Sequence, residues 1–303
     1  MSEATEGRAR LGLEGIAALA LPPLFWAGNF IVARAARGEV PPMALSCVRW
    51  GIALLCMLPF AWPYLKRDAA WYRENWKLVA LIGIPGVTGF NTLVYVGLQY
   101  TTATNGMLLN STIPVLILVL GALFWGRKMR ALQAFGLLVS TFGVAVIILH
   151  GEWQRLVTLQ FSRGDLIIFV AMICWALYTL GLTRVPASVN RLGLLAVHSA
   201  MTLVLLAPFL ALEIASGRVP SFSGAGIAAM LYVGVVPSVL ATLLYMRAVS
   251  IAGPARAGQF IHLLPVYGAV LSTLFLGEEL HLYHAVGFGA ILAGIVIAGR
   301  GGR

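Results

Sequence analysis

A chain of 303 residues with 60% hydrophobic and only 11% charged side chains has too few charges to coat a water-soluble globule, in which about a quarter of residues are charged. Its formal charge of +10 would point to nucleic acid in a soluble protein. Here the basic residues sit between long apolar runs, so they read as membrane topology and lipid is the indicated solvent.

A spanning helix takes roughly 20 apolar residues at about 1.5 Å rise each. In chain order the qualifying intervals are 14–33, 43–62, 77–98, 103–125, 131–149, 165–182, 192–212, 226–248, 254–276 and 283–299. They are continuous apolar runs rather than alternating ones, which selects helices over a barrel. The predicted fold class is therefore an all-α integral membrane protein of ten transmembrane helices. Residues 1–13 form a tail, 14–149 hold five helices, 150–164 connect, 165–299 hold five more, and 300–303 form a second tail.

Arg8 and Arg10 precede the first run as they would in a signal peptide. That run is too long for a cleaved h-region and carries Pro22, Pro23 and Asn29, so it is expected to stay as the first span. With the N-terminus inside, fifteen Lys and Arg fall in inner segments against five (Arg34, Arg37, Arg155, Arg163 and Arg218) in outer ones, Arg49 lying within the second span. This positive-inside bias and an even helix count put both termini in the cytoplasm. Cys47, Cys56 and Cys174 all fall inside spans without metal-ligand spacing and read as small core residues.

The sequence repeats at an offset near 150. Trp26 matches Trp175 and Pro59-Phe60 matches Pro208-Phe209 at 149; Thr92-Leu93 and Tyr95 match Thr242-Leu243 and Tyr245 at 150. Pro114, Phe124, Gly126, Gly136 and Gly143 match Pro265, Phe275, Gly277, Gly287 and Gly294 at 151. Five spans is an odd number, so the second half must enter from the opposite face. Such inverted repeats around a central cavity are a route to alternating access, one face closing as the other opens.

Polar groups inside spans are costly and are the first functional candidates. Trp26 and Asn29 lie on helix 1, Asn91 and Tyr95 on one face of helix 3, Asn110 on helix 4, Trp175 and Tyr178 on one face of helix 6, Tyr245 on helix 8, and Gln259 and His262 on one face of helix 9. Asn105 and His198 complete the set. Rings that stack, amides that hydrogen-bond and π faces that tolerate a cation suit a zwitterionic or aromatic organic solute. Arg49, whose repeat partner is His198, reads as an interhelical anchor or as the partner of a substrate carboxylate. Pro85 and Pro237, with Pro114 and Pro265, recur at matched depth and are expected to bend the helices that gate each face, near the short links at 100–102 and 250–253. Gly136, Gly143, Gly287 and Gly294 form small-residue faces on helices 5 and 10.

The carboxylates are placed at span ends: Glu14, Asp165, Glu213, Glu278 and Glu279. A mid-membrane carboxylate for proton coupling is therefore absent from the expected picture. His262 is the substitute if protons take part; otherwise transport is uncoupled. No span carries paired aspartates, a metal cluster or a nucleophile elbow, so an enzyme is not expected, nor any metal or other cofactor. His281 and His284, beside Glu278 and Glu279, read as a solvated helix start rather than a metal site.

The FWAGNF run at 25–30, CVRW at 47–50 and LFLGEEL at 274–280, with the five-plus-five duplication over 14–299, resemble the EamA-type drug/metabolite transporter superfamily. Within it the chain is most similar to bacterial exporters of aromatic amino acids that also confer tolerance to paraquat. The resemblance implies a cavity lined by helices 1, 3, 4, 6, 8 and 9, and export of aromatic and other neutral amino acids and organic cations. It also implies a bacterial cytoplasmic (inner) membrane location, lipid and small-molecule partners without nucleic acid, and function as a monomer. The first half departs from the pattern, reading LFWGRKMR at 123–130, without the acidic pair. Alternatives on the same fold are a carrier of phosphorylated or sugar-nucleotide solutes, which needs several cations facing the cavity, and a proton-coupled multidrug exporter.

Overall fold

The computed structural model describes residues 12–35, 41–101, 103–127, 130–157, 162–217, 224–277 and 279–301. The described residues are helical throughout apart from the turns that join the helices. We number the long helices α1 (Leu13–Ala35), α2 (Pro42–Arg67), α3 (Trp76–Gly97), α4 (Gly106–Trp125) and α5 (Ala131–Ile148). The remainder are α6 (Arg163–Arg184), α7 (Arg191–Ala215), α8 (Met230–Ala252), α9 (Pro254–Phe275) and α10 (Leu282–Arg300). Each of the predicted intervals falls on one of these helices. Nine of them, α2 to α10, are long and apolar enough to cross a membrane among the described residues. α1 is 23 residues long, with its apolar stretch over Leu13–Gly28. Two short helices, Ala69–Glu74 and Gln154–Val157, lie in the connections.

Large apolar side chains such as Leu55, Phe60, Leu81, Leu123, Phe124, Leu274 and Phe275 are exposed. In water that surface would be a liability; against acyl chains it is the expected exterior. The interior centres on α6, where Ala171, Ala176, Tyr178, Thr179 and Leu180 are fully buried. α6 packs on α3 and α4, while α1 packs on α8 and α9. α2 packs along α7, and α5 along α10.

The α5–α10 crossing depends on glycine. A Cβ on Gly136 would stand 2.6 Å from the Gly294 carbonyl oxygen, and one on Gly294 2.5 Å from that of Gly136. Gly143 and Gly287 oppose one another in the same way, at 2.7 and 2.8 Å. The pairing of 136 with 294 and 143 with 287 makes the two helices antiparallel. Only residues without a side chain allow that approach, which replaces a hydrophobic driving force that lipid does not supply.

The matched prolines mark breaks in the helices. α3 contains a π-helical stretch at Ile84–Gly89 around Pro85, and α8 one at Val236–Leu240 around Pro237. Proline has no N–H to donate and its ring crowds the preceding turn, so the ladder slips by one residue. The Phe90 amide accordingly bonds the Pro85 carbonyl, five residues back, and the Ala241 amide bonds that of Val236. α4 is interrupted at Ser111–Thr112 just before Pro114, and α9 passes through a 3₁₀ turn at Phe260–His262 just before Pro265.

The helix ends are equally local in origin. Gly126 (φ 61°) and Gly277 (φ 68°) adopt the left-handed conformation that stops α4 and α9, which is the structural role of the glycine in LFWG and LFLG. Gly253, at φ 80° and ψ 162°, joins α8 to α9. Thr102, in the corresponding link of the first half, lies outside the described residues.

Candidate functional site

α1, α3, α6 and α8 bring an aromatic cluster together in the middle of the bundle. Trp26 and Trp175, equivalent positions of the sequence repeat, meet edge to face with ring centres 5.4 Å apart. Tyr245 lies 5.4 Å from Trp26 and 5.3 Å from Trp175. Tyr178, one turn along α6, is 5.2 Å from Trp175. Phe90, which sequence reasoning passed over, is nearest of all to Trp175 at 4.7 Å. Nothing in its spacing set it apart, since Phe90 and Asn91 are adjacent on α3 and do not share a face. Trp175, Tyr178 and Tyr245 are 5%, 0% and 2% exposed, so the rings fill the centre and are packed against one another rather than lining open space.

Polar bonds fix this cluster to the irregular turns. Trp26 Nε1 donates to the Pro237 carbonyl at 3.1 Å. Thr179 and Tyr245 share a hydroxyl hydrogen bond of 2.9 Å, and Thr179 Oγ1 also reaches the Trp175 carbonyl at 2.8 Å. On the other side of the same π-stretch of α8, Arg49 Nε donates to Ser238 Oγ at 2.6 Å and Arg49 Nη1 to Tyr95 Oη at 2.8 Å. Ser238 passes its own proton to the Val233 carbonyl, five residues back, at 2.7 Å. The π-stretch of α3 is tied to α7 by a Thr88–Thr202 hydroxyl bond of 2.8 Å.

The remaining predicted residues sit elsewhere. Asn91 is buried and bonds the Val87 carbonyl one turn back at 3.2 Å. Gln259 donates to the Gly294 carbonyl at 2.9 Å. His262 Nδ1 meets Ser140 Oγ at 2.8 Å and Nε2 donates to the Ser111 carbonyl at 3.0 Å. Gln259 and His262 therefore face α10, α5 and the break in α4 rather than the aromatic rings. Asn110 is half-buried beside His262, at a cavity of about 10 Å³, room for about one water. The side chains of Asn29 and Asn105 lie outside the described residues. A groove of about 510 Å³ between α2, α3 and α7, lined by residues such as Leu54, Leu58, Ile84, Ala196 and Met201, is apolar, and none of the five rings lines it.

Carboxylates are occupied at helix ends. Glu213, at the end of α7, accepts from the amides of Met43 and Ala44 at 3.3 and 2.9 Å, serving the positive start of α2. Asp165 closes a capping box with Ser162 and accepts from Thr101 Oγ1 at 2.5 Å. Glu14 pairs with Arg247 at 2.9 Å. Asp68, beyond the end of α2, accepts from Arg67 Nε at 2.7 Å and from the Asn190 amide at 2.9 Å. The Arg67 hydrogen bond, helped by the Asn190 amide, holds the Asp68 carboxyl below its ordinary value in spite of its burial. Burial and the nearby Asp68 charge push the Tyr72 phenol up to about 12. At the start of α10, His284 Nδ1 accepts from the His281 amide at 3.0 Å; Glu278 lies outside the described residues. Among the described residues no group of three His, Cys, Asp or Glu is placed to hold a metal ion.

The model of the EamA-like transporter family matches this chain twice, over residues 13–149 and 162–300. The uncharacterized transporter YyaM of Bacillus subtilis is 28% identical over 283 residues, 91% of this chain and 90% of its own length. A protein of Streptantibioticus cattleyicolor named "Probable terminal-alkyne amino-acid exporter" is 25% identical over 287 residues, 93% of this chain and 92% of its own. The uncharacterized inner membrane transporter YedA of Escherichia coli K12 is 25% identical over 281 residues, covering 92% and 88%. A crystal structure 21% identical in sequence superimposes with a TM-score of 0.73 over 94% of this chain and 95% of that one, so the two share a fold. These relatives are named as transporters rather than enzymes. The chain is a multi-pass membrane protein and belongs to the EamA-like transporter family.

Proposed function

We propose that this transporter exports neutral amino acids, aromatic ones above all, and related organic cations from the cytoplasm by alternating access between two inverted five-helix halves. The observation that carries the reading is the ring cluster of Trp26, Phe90, Trp175, Tyr178 and Tyr245, built from helices of both halves at the bundle centre. Ring faces stack on an aromatic side chain and attract an ammonium group. The exporter of Streptantibioticus cattleyicolor gives the solute class independent support.

Several contacts fit a two-fold axis in the membrane plane. Repeat equivalents touch one another: Trp26 with Trp175, and the Ser111 carbonyl with His262. The 136–294 contact maps onto the 143–287 contact when the halves are exchanged. α6 on α3 and α4 likewise maps onto α1 on α8 and α9. With ten spans, the N- and C-termini both lie in the cytoplasm, as the basic residues favour. The packed, buried rings fit a conformation in which the centre is closed. Separation of the halves at the π-stretches around Pro85 and Pro237, and at the breaks before Pro114 and Pro265, would open a path to one face at a time.

The carboxylates committed to caps and surface pairs favour uncoupled transport down the solute gradient. Proteoliposomes loaded with labelled amino acids, with and without a pH gradient, test both points. The expected result is exchange of aromatic amino acids in either condition. Failure to exchange any amino acid refutes the solute class, and strict dependence on the gradient refutes the uncoupled mechanism.

A further inference from the structure

Arg49 is 5% exposed and lies seven residues past the start of α2, about 10 Å along the helix. Its two hydrogen bonds are to neutral hydroxyls, Ser238 and Tyr95. Among the described residues no carboxylate pairs with it, and Nη2 donates to none of them. Hydroxyls satisfy donors, and the Trp50 ring lies 5.5 Å from the guanidinium carbon, but neither supplies an anion, and a buried cation without one is costly. The Tyr95 hydroxyl accepts from Arg49 and donates to no described residue. Arg49 Nη2 and the Tyr95 O–H are thus two uncommitted donors on neighbouring groups, in a place that lacks an anion.

The position is also asymmetric. The repeat equivalent of Arg49 is His198, fully buried, whose ring packs on Gly83 of α3 and stands 6.2 Å from Tyr178. In the other half, Gly234 of α8 receives α2 at Ile52 and the Arg49 backbone. Both halves therefore bring the second helix of one against the third of the other, and only one of them uses a fixed charge there. Helix packing alone does not require the guanidinium. Finally, Arg49 and the aromatic cluster grip consecutive residues of one π-stretch: Trp26 bonds Pro237 and Arg49 bonds Ser238. In an α-amino acid one carbon separates the ammonium from the carboxylate.

We infer that Arg49 Nη2 and the Tyr95 hydroxyl bind the solute carboxylate, while the rings around Trp26 and Trp175 take its ammonium and side chain. This rests on the amino-acid reading above and adds to it the recognition of the acid end. Because both ends are read, the protein distinguishes a zwitterion from the matching amine.

The test compares phenylalanine with phenylalaninamide, which keeps the ring and ammonium and loses the anion, as competitors in proteoliposome counterflow. The wild type is expected to prefer the acid by about 10- to 100-fold in KM, the range for a hydrogen bond to a charged group. Arg49→Gln is expected to raise KM for the acid by that factor, leave the amide unchanged, and erase the preference; Arg49→Lys is expected to restore part of it. A wild type that carries acid and amide alike overturns the inference while leaving amino-acid transport intact, even if Arg49→Gln fails to fold. Equal losses for both solutes in Arg49→Gln, with the preference retained, assign Arg49 to packing alone and overturn it too. A wild type that moves neither solute removes the amino-acid reading together with this one.

Discussion

Gly294→Ala adds one methyl group at the α5–α10 crossing. The new Cβ would stand 2.5 Å from both the Gly136 carbonyl oxygen and the Ser140 amide nitrogen, and these are backbone atoms that no rotamer change removes. The helices must separate, at a cost of about 1–3 kcal/mol for overpacking. Separation also stretches the Gln259 bond to the Gly294 carbonyl, adding roughly 0.6 kcal/mol, the average for such bonds in membranes. Gly289→Ala on the same helix is the control, because nothing lies within 4 Å of its added Cβ. The gain in helix propensity, roughly 0.5–1 kcal/mol, is common to both variants and cancels. Gly294→Ala should therefore be less stable than Gly289→Ala by about 1.5–3.5 kcal/mol. At about 2–4 °C per kcal/mol this is a gap of roughly 3–14 °C in Tm, readable by size-exclusion chromatography of heated, detergent-solubilised protein. Equal melting, or Gly294→Ala melting higher, would show that α5 and α10 do not cross at these glycines.

Trp175→Ala removes a ring that touches four others. Transport per folded molecule should fall steeply while expression holds, and Trp175→Phe should keep a measurable part; unchanged uptake in the alanine variant would remove the cluster from the solute path. Asp68 has a depressed pKa in the folded state, so its stabilising contribution is complete above the ordinary value of 3.8 and is lost as the pH falls through the depressed one. Acidification from pH 5 towards 2 should thus speed limited proteolysis near Arg67 and Asn190 in the wild type, and Asp68→Asn should flatten that dependence. Gly253→Ala forces a side chain into backbone geometry that is almost glycine-only, which should cost about 1–3 kcal/mol. Gly268→Ala, inside α9 with nothing near its added Cβ, should melt slightly above the wild type, by the helix-propensity gain of roughly 0.5–1 kcal/mol.

The long helices were legible because lipid imposes both a length and an apolar composition, so each shows as a run without any knowledge of its neighbours. The aromatic cluster was legible in part. Trp26 and Trp175 repeat, and Tyr178 follows Trp175 on one helix face, but Phe90 looked like any other lipid-facing apolar residue. The prolines forecast bends, yet the slip into π geometry depends on which backbone donors find partners five residues away, as with the Ala241 amide and the Val236 carbonyl. Gln259 and His262 share a face, as their spacing requires. That this face meets α10, α5 and Ser111 is set by how α9 rotates against its neighbours, which spacing does not encode. Arg49 was visible as a buried cation, but its two hydroxyl partners come from α3 and α8, separated from it by 46 and 189 residues.

The placement of α1 bears on how the chain is made. It ends at Ala35, yet the helices it packs on, α8 and α9, begin at Met230 and Pro254. At synthesis rates of about 5–20 residues per second, roughly 10–40 s pass before α8, the earlier of these two helices, begins to emerge. Through that interval Ala18, Leu19 and Ala27, buried in the finished protein, face lipid or the insertion machinery. Final docking of α1 is therefore a late event in biogenesis, and an amino-terminal fragment ending after α5 is left without the partners of its first helix. Co-expression with the complementary carboxy-terminal fragment should supply them.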